Sequence, residues 1–310
     1  MLLGHKNDLK NNEWKILPQL KDWSLTNVDG EYKLYSNICP HQGSYFKGTE
    51  GKNTRLCPYH GWSFKHSGEP IGSGSTGYWC KNTKALESKE VFQWNGYLFS
   101  EKHDLPIIDY IQSDYLILEE MRVDKVYANY IDIVNIFLDM DHLPVVHPKI
   151  YDQLAVEAVE WEILENSSVQ YAPNNKENLN NEFGQTMLQE DRDRKHGAAW
   201  FCVYPYTMLE YFPGAWFNTV CHPVDNKETD VTVYKYRDTR YSKKNWELNC
   251  QIWETAWKQD KEQSQSVVPH FKSKFLEKQK THYLNWNNNN NNKKNPDNFL
   301  NWLESDDPQY

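Results

Sequence analysis

Basic charge is scarce in this chain: 34 Lys and Arg stand against 43 Asp and Glu, a net −9 over 310 residues. A protein that binds a nucleic-acid backbone needs a basic face to release counterions, so the balance argues against that class. Long apolar runs are lacking too. No stretch nears the ~18 unbroken apolar residues of a membrane span. The opening Met1-Leu2-Leu3-Gly4-His5-Lys6-Asn7-Asp8 meets charge before a secretory apolar region can form. The expectation is a cytoplasmic protein with neither membrane nor nucleic acid as partner. Six cysteines are too few and too scattered for a disulfide scaffold. Apolar residues make only 39% of the chain, but 13 Trp, 20 Tyr and 12 Phe offset the shortage. Each aromatic buries ~150–250 Å² and keeps a polar handle where it has one. A chain of this length is expected to form two domains.

Residues 14–36 alternate apolar and polar around an Asp29-Gly30 turn and read as short strands. Strand-like runs continue at Arg55–Leu56, Trp62–Phe64, Val91–Trp94 and Tyr97–Phe99, and Glu101–Pro106 reads as a linker out of a small β module. Residues 126–142 lack Gly and Pro and carry a mixed helix-and-strand pattern that Pro144 and Pro148 are expected to end. Strand signals return at 155–171 and 198–236. Residues 244–268 read as a helix with Trp246, Cys250, Trp253, Trp257, Asp260 and Ser264 along one face. The run of six Asn, Asn287–Asn292, is low-complexity and sits in a C-terminal tail. Cys80, Cys202, Cys221 and Cys250 read as buried packing residues.

The two remaining cysteines form a pattern. Cys39-x-His41 is followed after fifteen residues by Cys57-x-x-His60. Two thiolates and two neutral imidazoles make a soft metal site. Structural zinc modules usually pair Cys with Cys and His with His. A mixed pair on each of two β loops instead suits a two-iron cluster with both Cys on one iron and both His on the other. A zinc-stabilised binding module is the competing reading.

Residues 38–65, Ile-Cys-Pro-His-Gln-Gly … Leu-Cys-Pro-Tyr-His-Gly-Trp-Ser-Phe, closely resemble a Rieske [2Fe–2S] domain. Respiratory Rieske proteins carry an extra Cys in each loop; none stands here near Ser44 or Tyr59, which resembles the oxygenase or ferredoxin type. Gln42 departs from the Arg or Lys common in oxygenases. A ferredoxin would end near residue 105, and some 200 residues follow.

In that second part His142 and His147 follow Asp139 and Asn135. Asn135, Asp139 and His142 share one face of a helix by their spacing, and Pro144 lets His147 swing to the same point. Two imidazoles and a carboxylate on one side of an octahedron suit non-haem Fe(II) and O₂. The run from Asn129-Tyr130 through Asn135 and Asp139-x-x-His142-x4-His147 resembles the iron-binding segment of Rieske non-haem iron oxygenase α subunits, with Tyr130 in place of a common Trp. The string Lys258-Gln259-Asp260-Lys261-Glu262 is similar to the family's third-ligand helix. Asp260 is the expected third ligand, with Glu254 and Glu262 as competitors.

The resemblance implies that Asp139 is not a ligand: it bonds an iron-ligating His and reaches a cluster-ligating His of a neighbouring subunit. It thereby implies a homo-oligomer, a head-to-tail trimer. Asn135 would lie near the iron. The span Tyr204–Pro213 resembles the pocket-lining strand pair, half of its side chains facing a substrate. Tyr206, Met208, Glu210, Phe217, Trp253 and Trp257 are the candidate pocket residues. An aromatic-rich box can also hold a quaternary ammonium.

The expected fold is α+β: an all-β Rieske domain over 1–105, a helix-grip catalytic domain over 106–283 in which an antiparallel sheet curves over the iron, and a tail over 284–310. The implied function is that of a terminal oxygenase. A separate NAD(P)H-linked reductase, with or without a ferredoxin, feeds the [2Fe–2S] cluster, which feeds Fe(II). Oxygen from O₂ enters a small organic substrate, aromatic or of the methylamine and betaine type. Hydroxylation or oxidative demethylation is favoured. The alternatives are an aromatic-ring cis-dihydroxylating dioxygenase and an electron-transfer protein without oxygenase activity.

Overall fold

The computed structural model describes residues 1–266 apart from 18–19, 74–82, 107, 109–112, 149, 165 and 205. The Asn run, the tail and Cys80 lie outside the described residues. The chain divides into two compact units, Leu2–Lys102 and His103 onward.

The first unit is built of short antiparallel strands: β1 (Leu2–His5), β2 (Trp14–Leu17), β3 (Leu20–Val28), β4 (Glu31–Ser36), β5 (Thr54–Leu56), β6 (Trp62–Lys65), β7 (Pro70–Ser73), β8 (Ser88–Glu90), β9 (Phe92–Trp94) and β10 (Tyr97–Phe99). They form three sheets, ordered β1-β10-β9, β2-β3-β4-β8 and β5-β6-β7. Two hairpins turn on Asp29-Gly30 and Asn95-Gly96, where both residues of each pair have positive φ. That turn geometry matches the twist of the flanking strands and needs residues that tolerate the left-handed region. Leu3, Leu9, Leu17, Leu25, Leu34 and Leu98 make one core cluster. Trp14, Phe46, Phe64 and Leu86 make another around Cys39 and Cys57. Arg55 is fully buried, with its guanidinium 4.4 Å from the Trp14 ring centroid and bonded to the hydroxyls of Ser24 and Thr26 and the His66 carbonyl. Burial pushes its pKa down to about 9.

The second unit is one seven-stranded antiparallel sheet crossed by helices. Its strands are β11 (Leu116–Val126), β12 (Glu160–Ile163), β13 (Ser167–Pro173), β14 (His196–Val203), β15 (Thr207–Phe212), β16 (Ala215–Pro223) and β17 (Thr229–Asp238). Their order is β11-β17-β16-β15-β14-β13-β12. The helices are α1 (Tyr130–Leu138), α2 (Leu143–Val146), α3 (Gln189–Asp193) and α4 (Lys243–Ser266). One face of the sheet, with Trp200, Cys202, Met208, Phe212, Phe217, Val231 and Val233, shares a core with Ile133, Val134 and Phe137 of α1 and Trp253, Ala256 and Trp257 of α4. The fold is α+β, as expected. No helix among the described residues is long and apolar enough to cross a membrane.

Three local features differ from the sequence reading. β11 is assigned no element there, because its side chains alternate between half-buried and exposed and include five charged residues in the run Glu119-Glu120-Met121-Arg122-Val123-Asp124-Lys125. The helix expected to carry Asp139 and His142 stops at Leu138. Asp139 caps it in an extended conformation (φ −94°, ψ 96°), and a 3₁₀ turn, Met140–His142, follows. Pro144 then stands in the first turn of α2 instead of ending a helix. Proline is accommodated in a first turn because the N–H that it lacks has no intrahelical partner there.

Candidate metal centres

The two Cys/His loops of the first unit are twins. In each, the Cys N–H donates to a carbonyl five residues on (Cys39 to Ser44, 2.8 Å; Cys57 to Trp62, 2.7 Å), and the glycine at the fourth position donates back to the Cys carbonyl (2.9 Å from Gly43, 3.0 Å from Gly61). Both glycines sit at positive φ, 73° and 70°. A side-chain-bearing residue is strained there, which accounts for Gly at each closing position. The turns bury both thiols, at 1% and 2% exposure, and set them against each other. Main-chain N–H groups of His41 and Gln42 point at the Cys39 sulfur, and those of His60 and Tyr59 at the Cys57 sulfur. Burial prevails at Cys39 and pushes its pKa up to about 11. At Cys57 burial is outweighed by those N–H donors, and the thiol lies below its usual range.

The His41 and His60 rings are exposed, with centroids 4.8 Å apart. Trp62 stacks on His41 at 4.6 Å and 4°, and Tyr59 lies 3.8 Å from His60. A buried thiol pair ringed by N–H donors, beside an exposed imidazole pair, fits a cluster with sulfur ligands on its inner iron and imidazoles on its outer one.

In the second unit three donor atoms converge. His142 Nε2 lies 3.2 Å from His147 Nε2. Asp260 Oδ1 lies 2.9 Å from His147 Nε2 and 3.5 Å from His142 Nε2. The tautomers follow from the opposite ring nitrogens. His147 Nδ1 donates to Gln259 Oε1 at 2.8 Å, and His142 Nδ1 donates to the main-chain carbonyl of Asp139. Each Nε2 therefore presents a lone pair to the other and to the carboxylate. Asp260 Oδ1 is buried and has no hydrogen-bond donor. Three lone pairs facing one another repel unless a cation sits between them, and two imidazoles with one carboxylate on one face fit ferrous iron. The surroundings of the triad favour positive charge on His147 and negative charge on the carboxylate. Burial works against ionisation at both residues, yet Asp260 holds the His147 pKa above its ordinary value, and the two histidines hold Asp260 below its own.

The other carboxylates weighed for this position lie elsewhere. Glu254 bonds Arg122 at 2.6 Å and also pairs with Lys235, and Glu262 is exposed. The Asp139 side chain accepts the Asp141 N–H at 3.0 Å, and its main-chain carbonyl accepts from His142 Nδ1. Asn135 lies a turn upstream and offers its own carbonyl to the Asp139 N–H.

Two residues about the triad carry no role in the sequence reading. Gln259 fixes His147, and its position beside Asp260 was the available signal. Tyr151, 8% exposed, packs 6.0 Å from the His147 ring; nothing in its local sequence marks it.

The candidate pocket residues gather on the inner face of the sheet and on α4. Of Tyr204–Pro213, Met208, Glu210 and Phe212 point to that face. Glu210 accepts from Trp253 at 2.8 Å and from Trp200 at 3.1 Å. Phe217 stacks on Trp253 at 5.1 Å, and Trp253 on Trp257 at 5.8 Å. Tyr206 is only half-buried and meets Tyr130 edge-on at 5.1 Å. Cys202 and Cys221 are buried and Cys250 half-buried.

A β unit with two Cys/His loops is thus followed by a sheet-and-helix unit in which two histidines and a carboxylate converge, and comparisons with known proteins bear on both. A Rieske [2Fe–2S] domain matches residues 1–77. The fold is shared with a quaternary ammonium Rieske monooxygenase (TM-score 0.68, 18% identity, covering 88% of this chain and 79% of that one). It is shared also with naphthalene 1,2-dioxygenase of a Rhodococcus species (TM-score 0.65, 14% identity, 86% and 76%). In sequence the chain is 23% identical over 284 residues to putrescine 2-hydroxylase of Bordetella bronchiseptica, covering 76% of this chain and 64% of that protein. It is 24% identical over 255 residues to the carnitine monooxygenase oxygenase subunit of Escherichia coli K12, covering 73% and 65%. The match thus spans just under two thirds of these relatives' own length.

Proposed function

We propose that the protein is a terminal oxygenase that hydroxylates or oxidatively demethylates a small organic substrate. Its electrons come from a separate NAD(P)H-linked reductase, since the chain carries no flavin or nicotinamide fingerprint. Cys39, His41, Cys57 and His60 hold the [2Fe–2S] cluster, and His142, His147 and Asp260 hold Fe(II). When bound, the cluster supplies single electrons and the ferrous iron binds and activates O₂. The observation that carries this reading is the buried, donorless Asp260 Oδ1 facing two imidazole lone pairs.

The chain's own groups then have distinct tasks. Gln259 and the Asp139 carbonyl lock both imidazoles with Nε2 toward the metal. Tyr151, Trp200 and Phe212, with ring centroids 5.6–6.2 Å apart, keep water from the space beside the triad. Asp139 stands one 3₁₀ turn from His142, and as the bridging residue it links that ligand to a cluster histidine of a neighbouring subunit. This role calls for a head-to-tail homotrimer. It is supported by the inter-subunit electron transfer described for the quaternary ammonium monooxygenase. Cytoplasmic placement gives such an enzyme access to reduced nicotinamide.

Two measurements test the reading. The loaded protein should contain about three irons per chain, two in the cluster and one at the triad. Two irons would leave an electron carrier, and zinc without colour would leave a binding module. Turnover with a surrogate reductase should consume O₂ and give a product with one oxygen gained or one methylene lost. A product gaining two oxygens and two hydrogens would place the enzyme with the cis-dihydroxylating dioxygenases instead.

A further inference from the structure

Glu210 is a carboxyl at 3% exposure on the inner face of the sheet, and its two partners are neutral indoles. Among the described residues no lysine, arginine or histidine pairs with it. Cross-strand register places Gln170, Trp200, Glu210, Phe217 and Lys235 in one row. Lys235 is the cation of that row, and it is engaged with Glu120 and Glu254. Burying a carboxyl without a countercharge is costly, and such groups are normally paired.

What surrounds Glu210 is an aromatic wall. Tyr151, Trp200 and Phe212 pack against one another on one side, and Phe217 and Trp253 stack on the other. Ring faces and a carboxylate both attract positive charge, and desolvation strengthens the attraction. The wall begins beside the triad, where Tyr151 meets His147.

A second observation points to a ligand. Ser168 Oγ, Gln170 Oε1 and Thr219 Oγ1 lie on strands of the same sheet, in residues no more than 1% exposed, and have no hydrogen-bond partner. Ser168 and Thr219 belong to the neighbouring row Ser168–Cys202–Met208–Thr219. Thr219 is thus a diagonal neighbour of Glu210. Each orphaned polar atom costs roughly 1–3 kcal/mol unless something bonds it.

We propose that this face seats a small alkylammonium substrate, its cationic nitrogen held by Glu210 and the surrounding rings. Ser168, Gln170 and Thr219 are placed to bond the substrate's polar group. Glu210 is then a specificity residue that selects charge and takes no part in the chemistry at the iron. The assignment of the ligand as substrate rests on the oxygenase reading above; the seat itself is tested without turnover.

Proton linkage gives the seat a signature. Burial pushes the Glu210 carboxyl up to about 8, with the Asp260 charge adding to the rise and the indole donors opposing it. Tyr151 is the other titratable group facing it, and its own pKa is raised well above the ordinary value. Entry of a cation therefore expels a proton at neutral pH.

The experiment is anaerobic calorimetric titration of the iron-loaded protein with choline and n-butylammonium. Their uncharged counterparts, 3,3-dimethylbutan-1-ol and butan-1-ol, are the controls. At least one cation should bind about 10-fold or more tighter than its counterpart. Which of the two does so separates quaternary from protonated amines. Glu210→Gln should bring that ratio to within about 3-fold. Should this variant fail to fold, the wild-type protein titrated at pH 7 in two buffers of different ionisation enthalpy decides. Release of about one proton per ligand supports the seat, and no release overturns it. Equal affinity for charged and uncharged probes, no binding of either cation, or a preference that survives Glu210→Gln also overturns it. Three irons and an oxidised product without charge preference would sink the seat alone. Charge preference with only two irons would sink the oxygenase reading alone.

Discussion

The two candidate metal centres are made in opposite ways. The candidate cluster site is local: two hairpin loops with the same pair of closing hydrogen bonds bring Cys39, His41, Cys57 and His60 together. Its thiols are buried and its imidazoles face outward. The triad is assembled at long range, from the turn after α1, the end of α2 and the seventeenth and eighteenth residues of α4, counting Gln259 with Asp260. There the His147 side chain is 1% exposed and those of His142 and Asp260 15% and 12%. A site that exchanges electrons with partners needs an exposed edge. One that handles O₂ needs shelter from water. The first is closed by its own loop hydrogen bonds, whereas the second depends on the packing of a whole sheet and helix.

Removing the carboxylate from the triad should expose that asymmetry most strongly. Asp260→Ala should empty the triad, leave the red-brown cluster spectrum intact and lower turnover by ~10³-fold or more, as expected when a metal site loses a ligand. Iron analysis beside the visible spectrum checks it, and loss of cluster colour would show that the regions are not independent. A smaller effect is expected at the link between them. Asp139→Asn should retain all the iron and a reducible cluster, yet slow reoxidation of that cluster by ~10²-fold in stopped-flow mixing with O₂ and substrate. Full-speed reoxidation would remove Asp139 from the bridging role. Weaker again, Gln259→Ala frees the His147 ring and should cost ~10–100-fold in iron affinity at the triad with no change at the cluster. Competition with a chelator measures it.

The smallest effect belongs to pH. Glu210 has a folded pKa of about 8, raised by burial and by Asp260, against ~4.3 when unfolded. Between those values the folded chain keeps a proton that the unfolded chain has lost, so stability falls as pH rises through that window and levels off above it. Denaturant midpoints at several pH values should show this slope in the wild type, worth roughly 5 kcal/mol at most, and Glu210→Gln should flatten it.

How much of this was legible in the sequence follows the same divide. The candidate cluster ligands stand in short motifs whose turns close on glycine, so their spacing alone marks them. The His142 and His147 pair was legible because only four residues, Pro144 among them, separate the two, and Asp260 because it falls on the tryptophan stripe of a long helix. What stayed hidden depends on tertiary contact. β11 looks like a charged surface segment until Arg122, Asp124 and Glu120 are seen pairing with Glu254, Trp257 and Lys235 across it. The break at Asp139 was unreadable because no Gly or Pro marks it. Pro144 was misread as a stop because a proline ends one helix and opens another equally well. Gln259 and Tyr151 matter only through a ring that packing brings to them.

The helix α4 acts as an angular ruler. Trp253, which holds Glu210, and Asp260 are separated by seven residues on one unbroken helix, close to two full turns and ~10 Å of axial travel. A single residue inserted between Trp257 and Gln259 would advance everything after it by ~100°. Asp260 would swing out of phase with the histidines while the tryptophans stayed in place. The same insertion beyond Ser264 would leave that phase untouched, so the spacing from Trp253 to Asp260 should resist insertion and deletion far more than the helix on either side of it.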